Sequence, residues 1–249
     1  NQDIVHFKCK QPSKQVFSYI KKLDGTLPIF TYDIGNKGAK LFMISGYSNF
    51  LDYYLNLKKA ERMHYEILQE FVPLKLFLDV EFPPDEYSDH DYIMEILLQT
   101  IKNMLENLSC ESSKLEPLIL DSSSEKKFSK HVIYQVFFKN IYHVKDFVSD
   151  LIYNLKNEYP DLVREGGICG VDNSVYNKNR NFRLFLSAKK NSNRFLYCEN
   201  SSSSETQILC QSLVTAYRTT DDRIPENCKH IIKIDKEKDI LQYKSIHSI

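Results

Sequence analysis

The stretch VPLKLFLDVEFPPDE, residues 72–86, reads as a strand built for the inside of a sheet, yet Asp79 and Glu81 stand one residue apart near its end. Side chains at i and i+2 of a strand share a face, so both carboxylates point one way while Leu78, Val80 and Phe82 point the other. Burying one unpaired carboxylate is costly, and a second on the same face adds repulsion. A cation is therefore expected at that end. Hard divalent ions take oxygen ligands, often one or two carboxylates completed by substrate phosphate, and a pair of such ions suits phosphoryl transfer. Taken alone, the D-x-E spacing equally fits a solvated sheet end or a partner for nearby lysines.

Outward from this strand, helical and β patterns alternate without strict βαβ repetition. KQVFSYIKK after Ser13 predicts a capped amphipathic helix, and IFTYDI and KLFMIS around GNKGA predict a hairpin. YSNFLDYYLNLKK places Phe50, Tyr53, Tyr54 and Leu57 at helical spacing, and HYEIL reads as a strand. A long amphipathic helix is expected over residues 89–108, with strands PLILD and KHVIYQVFF around the polar loop SSSEKKFS. A helix from about His143 to Lys156 precedes the glycine-containing loop REGGICGVDNS. The strand pair RNFRLFLS and RFLYC follows, then a serine-rich loop at 201–204 and a helix over 205–217. With seven glycines and neither GxGxxG nor a Walker-type loop, a doubly wound nucleotide fold is disfavoured and an α+β sheet favoured. A small N-terminal module over 1–72, a larger one over 73–235 carrying the chemistry, and a charged, disordered tail over 236–249 are expected.

Lys and Arg balance Asp and Glu at 33 each, so any nucleic-acid-binding surface has to be local. Six scattered cysteines without a CxxC pair fit a reduced intracellular protein and give no zinc site within this chain. No apolar run approaches the ~20 residues of a membrane span, and no signal peptide is visible at the start. The chain begins at Asn1, which reads as a fragment of something longer.

Two further constellations carry chemistry. In EKKFSKHVIYQV, Lys127, Ser129 and His131 alternate and project an ammonium, a hydroxyl and an imidazole from one face, a set suited to a triphosphate. The plainer reading is a surface loop with a lone histidine. From Lys178 to Arg194 there are six basic residues and no acid, interleaved with Phe182, Phe185 and several asparagines. Such a run can track phosphates. Asp172 lies just upstream, and by itself VDNS reads as an Asx turn.

LFLDVEF, KKFSKH and VDNSVYNKNRNFRLFLSAKK, in that order, resemble the three motifs of the archaeo-eukaryotic primase superfamily, and VYNKNRNFRL resembles its PrimPol branch in particular. The likeness covers most of residues 10–235. It implies an α+β, two-module core with an RRM-like mixed or antiparallel sheet. It implies that Asp79, Glu81 and Asp172 are catalytic and hold two Mg²⁺ or Mn²⁺ ions. Lys127, Ser129, His131, Asn181, Arg183 and Lys189 are implied to bind nucleotide, and Arg180 and Lys178 to contact nucleotide or template DNA. The implied activity is that of a DNA primase-polymerase, a nucleotidyltransferase that adds (d)NTPs to a 3′-hydroxyl on a single-stranded DNA template, in damage tolerance and replication restart. The implied partners are template, primer and nucleotides, with a single-strand DNA-binding protein engaged through regions outside this chain. A monomer without membrane contact, in nucleus or mitochondrion, completes the set. The zinc module that members carry after the core is missing here, so a gap-filling or bypass polymerase unable to prime is an alternative. A noncatalytic single-strand-binding module using Tyr176, Phe182 and the basic run is another.

Overall fold

The computed structural model describes residues 4–9, 16, 18, 27–34, 39–198, 201–215 and 239–247. The fold is mixed α+β, with two principal sheets and four α-helices among the described residues. The first sheet is antiparallel throughout. Its strands are β1 (Val5–Cys9), β2 (Ile29–Ile34), β3 (Ala39–Ile44), β4 (His64–Leu68) and, from far along the chain, β10 (Arg180–Arg183), in the order β1-β3-β2-β4-β10. The IFTYDI and KLFMIS strands pair as expected, Ile29 opposite Ile44, although residues 35–38 of their turn lie outside the described residues. Alternation sorts the side chains of this sheet: Ile29, Phe42, Ile44 and Ile67 gather with Val16 in one small cluster, while Phe30, Met43 and Leu68 join the main core. Of the helix expected after Ser13, Val16 and Ser18 are helical and the rest lies outside the described residues.

Helix α1 (Tyr47–Leu55) covers the core face of this sheet, with Phe50 stacked on Phe30. Its buried face is set by Tyr47, Phe50, Leu51 and Tyr54 at helical spacing.

The second sheet is built on β5 (Leu74–Phe82) and β7 (Phe128–Phe138), paired antiparallel over almost their whole length. The short β6 (Leu118–Asp121) and β11 (Ile240–Leu241) pair with β7, the latter in parallel. Burial along β5 follows the sequence: Leu74 to Leu78, Val80 and Phe82 are buried, Asp79 and Glu81 only partly. Helices α2 (His90–Asn107) and α3 (Ile141–Glu158) pack on each other, and α3 also packs on β5 and β7. Each begins at a side-chain cap that satisfies otherwise orphaned amides, Asp89 accepting from the Tyr92 N–H and Asn140 from those of Tyr142 and His143. Asn140 is why α3 starts two residues before His143. The glycine-containing loop holds a two-residue hairpin, β8 (Val163–Arg164) with β9 (Gly167–Ile168).

Three expectations need correction. RNFRLFLS is a strand only over Arg180–Arg183, because Leu186 turns the chain with a φ of 63°. RFLYC is not its partner strand: Phe195 and Tyr197 make isolated bridges to Ala188 and Asp121. Helix α4 (Glu205–Ser212) stops five residues short of Tyr217, since Leu213 is extended and Thr215 bridges to Leu74 of β5. Residues 239–247 of the tail lie against the second sheet: Ile240 and Leu241 pair with β7, and the carboxylate of Asp150 on α3 accepts from the Tyr243 and Ser245 hydroxyls and the Ile246 N–H.

Candidate active site

The antiparallel register of β5 and β7 sets Asp79 opposite His131 and Glu81 opposite Ser129. Directly opposed side chains lie on one face, so two motifs distant in sequence meet as a matter of pairing. Lys127, just before β7, donates to Glu81 Oε2, and Ser129 Oγ lies 3.4 Å from Glu81 Oε1. His131 Nε2 is 3.9 Å from Asp79 Oδ1. Burial first, then the charges of Arg183 and Lys189, hold the His131 pKa well below its ordinary value, so the ring is neutral and this contact is not an ion pair. Phe182 stacks on the imidazole at 4.3 Å between ring centroids.

Asp172 arrives along the opposite edge of β5. The Glu81 N–H donates to Gly170 O at 2.8 Å, Val171 bridges Val80, and the Asp172 N–H donates to Asp79 O at 3.0 Å. Three backbone contacts therefore fix the third acid beside the first two. Gly170 makes this approach possible. It has φ +66°, and a Cβ there would stand 2.4 Å from Phe82 Cδ1 and 2.9 Å from Glu81 O. Gly170→Ala is expected to destabilise the protein by at least about 1–2 kcal/mol from the left-handed backbone alone, more once the clash is added, as read from the urea unfolding midpoint.

The electrostatics match the crowding. Burial, then the charges of Glu81 and Asp172, push Asp79 up to about 7, against relief from Lys127 and Lys189. Asp79 Oδ1 is buried without a hydrogen-bond partner. Tyr176, fully buried and donating to Phe77 O at 2.8 Å, has its pKa raised by burial and by the same Asp79 and Asp172 charges. A group of three carboxylates, relieved only in part by Lys127 and Lys189 and carrying an orphaned oxygen, fits a divalent cation by charge and by donor type. In the conformation described, the carboxylates are not drawn up as one coordination shell: among the described residues no three His, Cys, Asp or Glu side chains are disposed to hold a metal ion. Glu81 turns to Lys127, and Asp172 Oδ1 accepts from the Ser174 N–H at 2.8 Å. A cavity of about 380 Å³ opens beside Glu81 and Asp172, walled by the 166–170 loop and Lys156.

Arg183 closes the other side. Its guanidinium is buried, donating to Ser122 Oγ at 2.9 Å and to Arg194 O at 3.2 Å, with Nε unpartnered. Burial lowers its pKa, while Tyr65, Asp79 and Glu81 favour its charge. Ser122 Oγ in turn donates to Ser129 Oγ at 3.1 Å. Lys189 is exposed nearby, and its charge reaches both Asp79 and His131.

Asp79, Glu81, Asp172, Lys127, Ser129, His131, Arg183 and Lys189 are thus brought together. Asn181 lies one pleat further along β10, with Thr31 Oγ1 at 3.5 Å from its side-chain oxygen. Arg180 is exposed opposite Leu68, and Lys178 is on the surface with Glu70 Oε2 at 3.8 Å. Neither is among the contacts of the carboxylate group. Ser122 and Gly170 carry no signal in the sequence: SSSEKKFS reads as an ordinary polar loop, and a single glycine does not show what it must approach. Lys40, which the family resemblance matches only loosely to a basic residue of the N-terminal module, groups with Asp33 and Tyr65. Lys40 Nζ is 2.6 Å from Asp33 Oδ1 and 4.3 Å from the Tyr65 ring centroid, and Tyr65 lies opposite Arg183 in the sheet.

This α+β architecture, with acids on one sheet edge faced by Ser, His, Lys and Arg, is consistent with a primase-type core. No protein-family model matches the chain. Curated relatives are DNA-directed primase/polymerase proteins: that of Danio rerio is 28% identical over 75% of this chain and 45% of its own length. That of Mus musculus is 26% identical over 83% and 51%, and that of Homo sapiens 29% identical over 55% and 26%. The chain spans about half the length, or less, of these relatives. They support a PrimPol-like catalytic core for this chain.

Proposed function

We propose that this chain is the core of a template-dependent nucleotidyltransferase, a primase-polymerase that joins nucleotides to a 3′-hydroxyl on single-stranded DNA. The observation that carries this reading is the pairing that sets Asp172 against Asp79 while His131 and Ser129 face Asp79 and Glu81. Asp79, Glu81 and Asp172 would hold two Mg²⁺ or Mn²⁺ ions. Bound there, such ions activate an attacking hydroxyl and neutralise phosphate charge. The chain's own residues bind and orient the nucleotide. Lys127 and Lys189 supply mobile cations for its triphosphate, and Ser129 a hydroxyl donor. Arg183, held by Ser122 and the Arg194 carbonyl, supplies a fixed guanidinium for anionic oxygen. Neutral His131, fixed by its stack on Phe182, offers one N–H without adding charge. Asn181, Arg180 and Lys178 continue the polar and basic surface away from the carboxylates, where nucleotide or template is bound.

The proposal extends to a role in damage tolerance and replication restart in nucleus or mitochondrion. No described helix is long and apolar enough to cross a membrane. The test is incorporation of labelled nucleotide on a defined single-stranded template, with and without primer, in Mg²⁺ and in Mn²⁺. Metal-dependent extension of the primer supports the reading, and extension without de novo starts identifies a polymerase that cannot prime. Nucleotide binding that ignores metal, with no incorporation, overturns it in favour of a binding module. Within the same assay, Arg183→Lys is expected to lower kcat/KM about tenfold or more. An ammonium cannot hold the fixed contacts to Ser122 and the Arg194 carbonyl while also facing phosphate.

A further inference from the structure

The second half of the basic run, Lys190 to Arg194, gives no side chain to the carboxylate site, and it borders a groove of its own. Two cavities of about 520 Å³ each share Asn193 and Phe195 as lining residues, so they adjoin along one groove at these side chains. One end reaches Ser122, the hydroxyl that accepts from Arg183, and the other is bordered by Lys59 and Lys190. Between them lie Phe195 and Tyr197, with ring centroids 6.1 Å apart and Tyr197 38% exposed. Lys59 Nζ rests over both rings, 4.8 Å from the Phe195 centroid and 4.9 Å from that of Tyr197. The one acid lining either cavity is Asp121, which is tied to Lys130. Arg194, exposed at the rim, is joined to the nucleotide side of the site because its carbonyl accepts from Arg183.

We propose that this groove binds single-stranded nucleic acid, stacking bases on Phe195 and Tyr197 while Lys59 and Arg194 take the phosphates. Aromatic faces interleaved with cations along a groove are what sequence-tolerant strand binding requires, since every base has a stacking face and every link a charge. The ammonium of Lys59 now lies over the rings; a phosphate draws it off on its flexible stem and leaves the faces to bases. The occupant is a strand rather than a free nucleotide because two adjoining cavities with two aromatic platforms between them reach from Lys190 to Ser122 beside the site. This inference rests on the proposed function in one respect: the strand it seats is the template of the reaction at Asp79, Glu81 and Asp172.

The experiment is fluorescence anisotropy of a labelled oligothymidylate, with EDTA and without nucleotide, so that the carboxylate site is not engaged. Lys59→Glu with Arg194→Glu, both at exposed positions, is expected to weaken binding at least about tenfold and to flatten the salt slope by about 1.4. Tyr197→Ala is expected to weaken it about fivefold or more. Lys145→Glu, on the exposed side of α3, should bind as the unaltered protein does. Unchanged affinity in the first two variants overturns the groove, and so does competition by dTTP equal to that of the unlabelled strand. The same proteins are assayed for nucleotide addition. Addition by the unaltered chain with binding indifferent to the groove variants sinks this inference alone. Groove-dependent binding without any addition sinks the proposed reaction and leaves the strand site standing.

Discussion

Asp79→Ala together with Glu81→Ala should abolish metal-dependent nucleotide addition, by at least about three orders of magnitude, or ~4 kcal/mol of transition-state stabilisation, while leaving the protein folded. The two halves of this result have one cause. The carboxylates are held together by pairing that does not depend on them: β5 against β7 on one side, and the Gly170–Asp172 segment on the other through backbone N–H and C=O groups. Removing the acids leaves that frame intact and relieves their repulsion, at the cost only of the partly exposed contacts of Glu81 with Lys127 and Ser129. The stability side can be read from pH in the presence of a chelator. Asp79 lies at about 7 in the folded chain against 3.8 for an ordinary Asp. Below both values it is protonated folded or unfolded, and stability is unaffected. As pH rises from about 4 to 7 the unfolded chain releases the proton first, so stability falls, and above 7 the full penalty is present. Asp79→Asn should abolish that decline, which a series of urea titrations across the window would measure. A mutant pair with near-normal incorporation removes the site, and a mutant chain that unfolds removes the claim that backbone pairing assembles it.

What the sequence made legible follows the reach of its patterns. The period of two along β5 put Asp79 and Glu81 on one face, and the same period put Ser129 and His131 on one face of β7; the structure repeats both because local alternation survives into any sheet. The register that matches Asp79 with His131 was not legible, since it is fixed by two strands separated by a helix, a short strand and loops. Nor was the arrival of Asp172 beside Asp79 except by family resemblance, because the segment that carries it is an edge contact of three residues with no strand pattern. The return of Arg180–Arg183 to the first sheet escaped for the same reason: β10 is only four residues long, and its partner is more than a hundred residues away. At RFLYC and beyond Ser212 apolar composition predicts regular structure, whereas Phe195, Tyr197 and Thr215 use single bridges.

Glu66→Leu should be among the most destabilising single changes in the chain, costing about 3–5 kcal/mol, visible as a large drop in melting temperature. HYEIL and LKLFL look like ordinary strands in which a charged residue faces water, yet Glu66 is 1% exposed and Lys75 fully buried. Both serve the segment that follows α4. Glu66 accepts from the Val214 N–H at 2.6 Å, the Thr215 N–H at 3.0 Å and the Thr215 hydroxyl at 2.8 Å. Lys75 donates to the carbonyls of Cys210 and Gln211 at the end of α4, and its own N–H donates to Val214 O. One strand of each sheet thus supplies one buried charge, and the two hold residues 210–215 between the sheets. Burial raises the Glu66 pKa, while its hydrogen bonds and the Lys75 charge oppose the rise. Leucine leaves two buried amides and a hydroxyl without their acceptor, each costing about 1–3 kcal/mol, and leaves the Lys75 ammonium without its compensating charge. Glu66→Gln keeps one acceptor oxygen and should lose less. Lys75→Met alone should be severe, whereas combining it with Glu66→Gln should cost less than the sum of the two, because neither partner is then left as a lone buried charge. Additive losses in that cycle would show that the two residues hold the segment independently rather than as a pair.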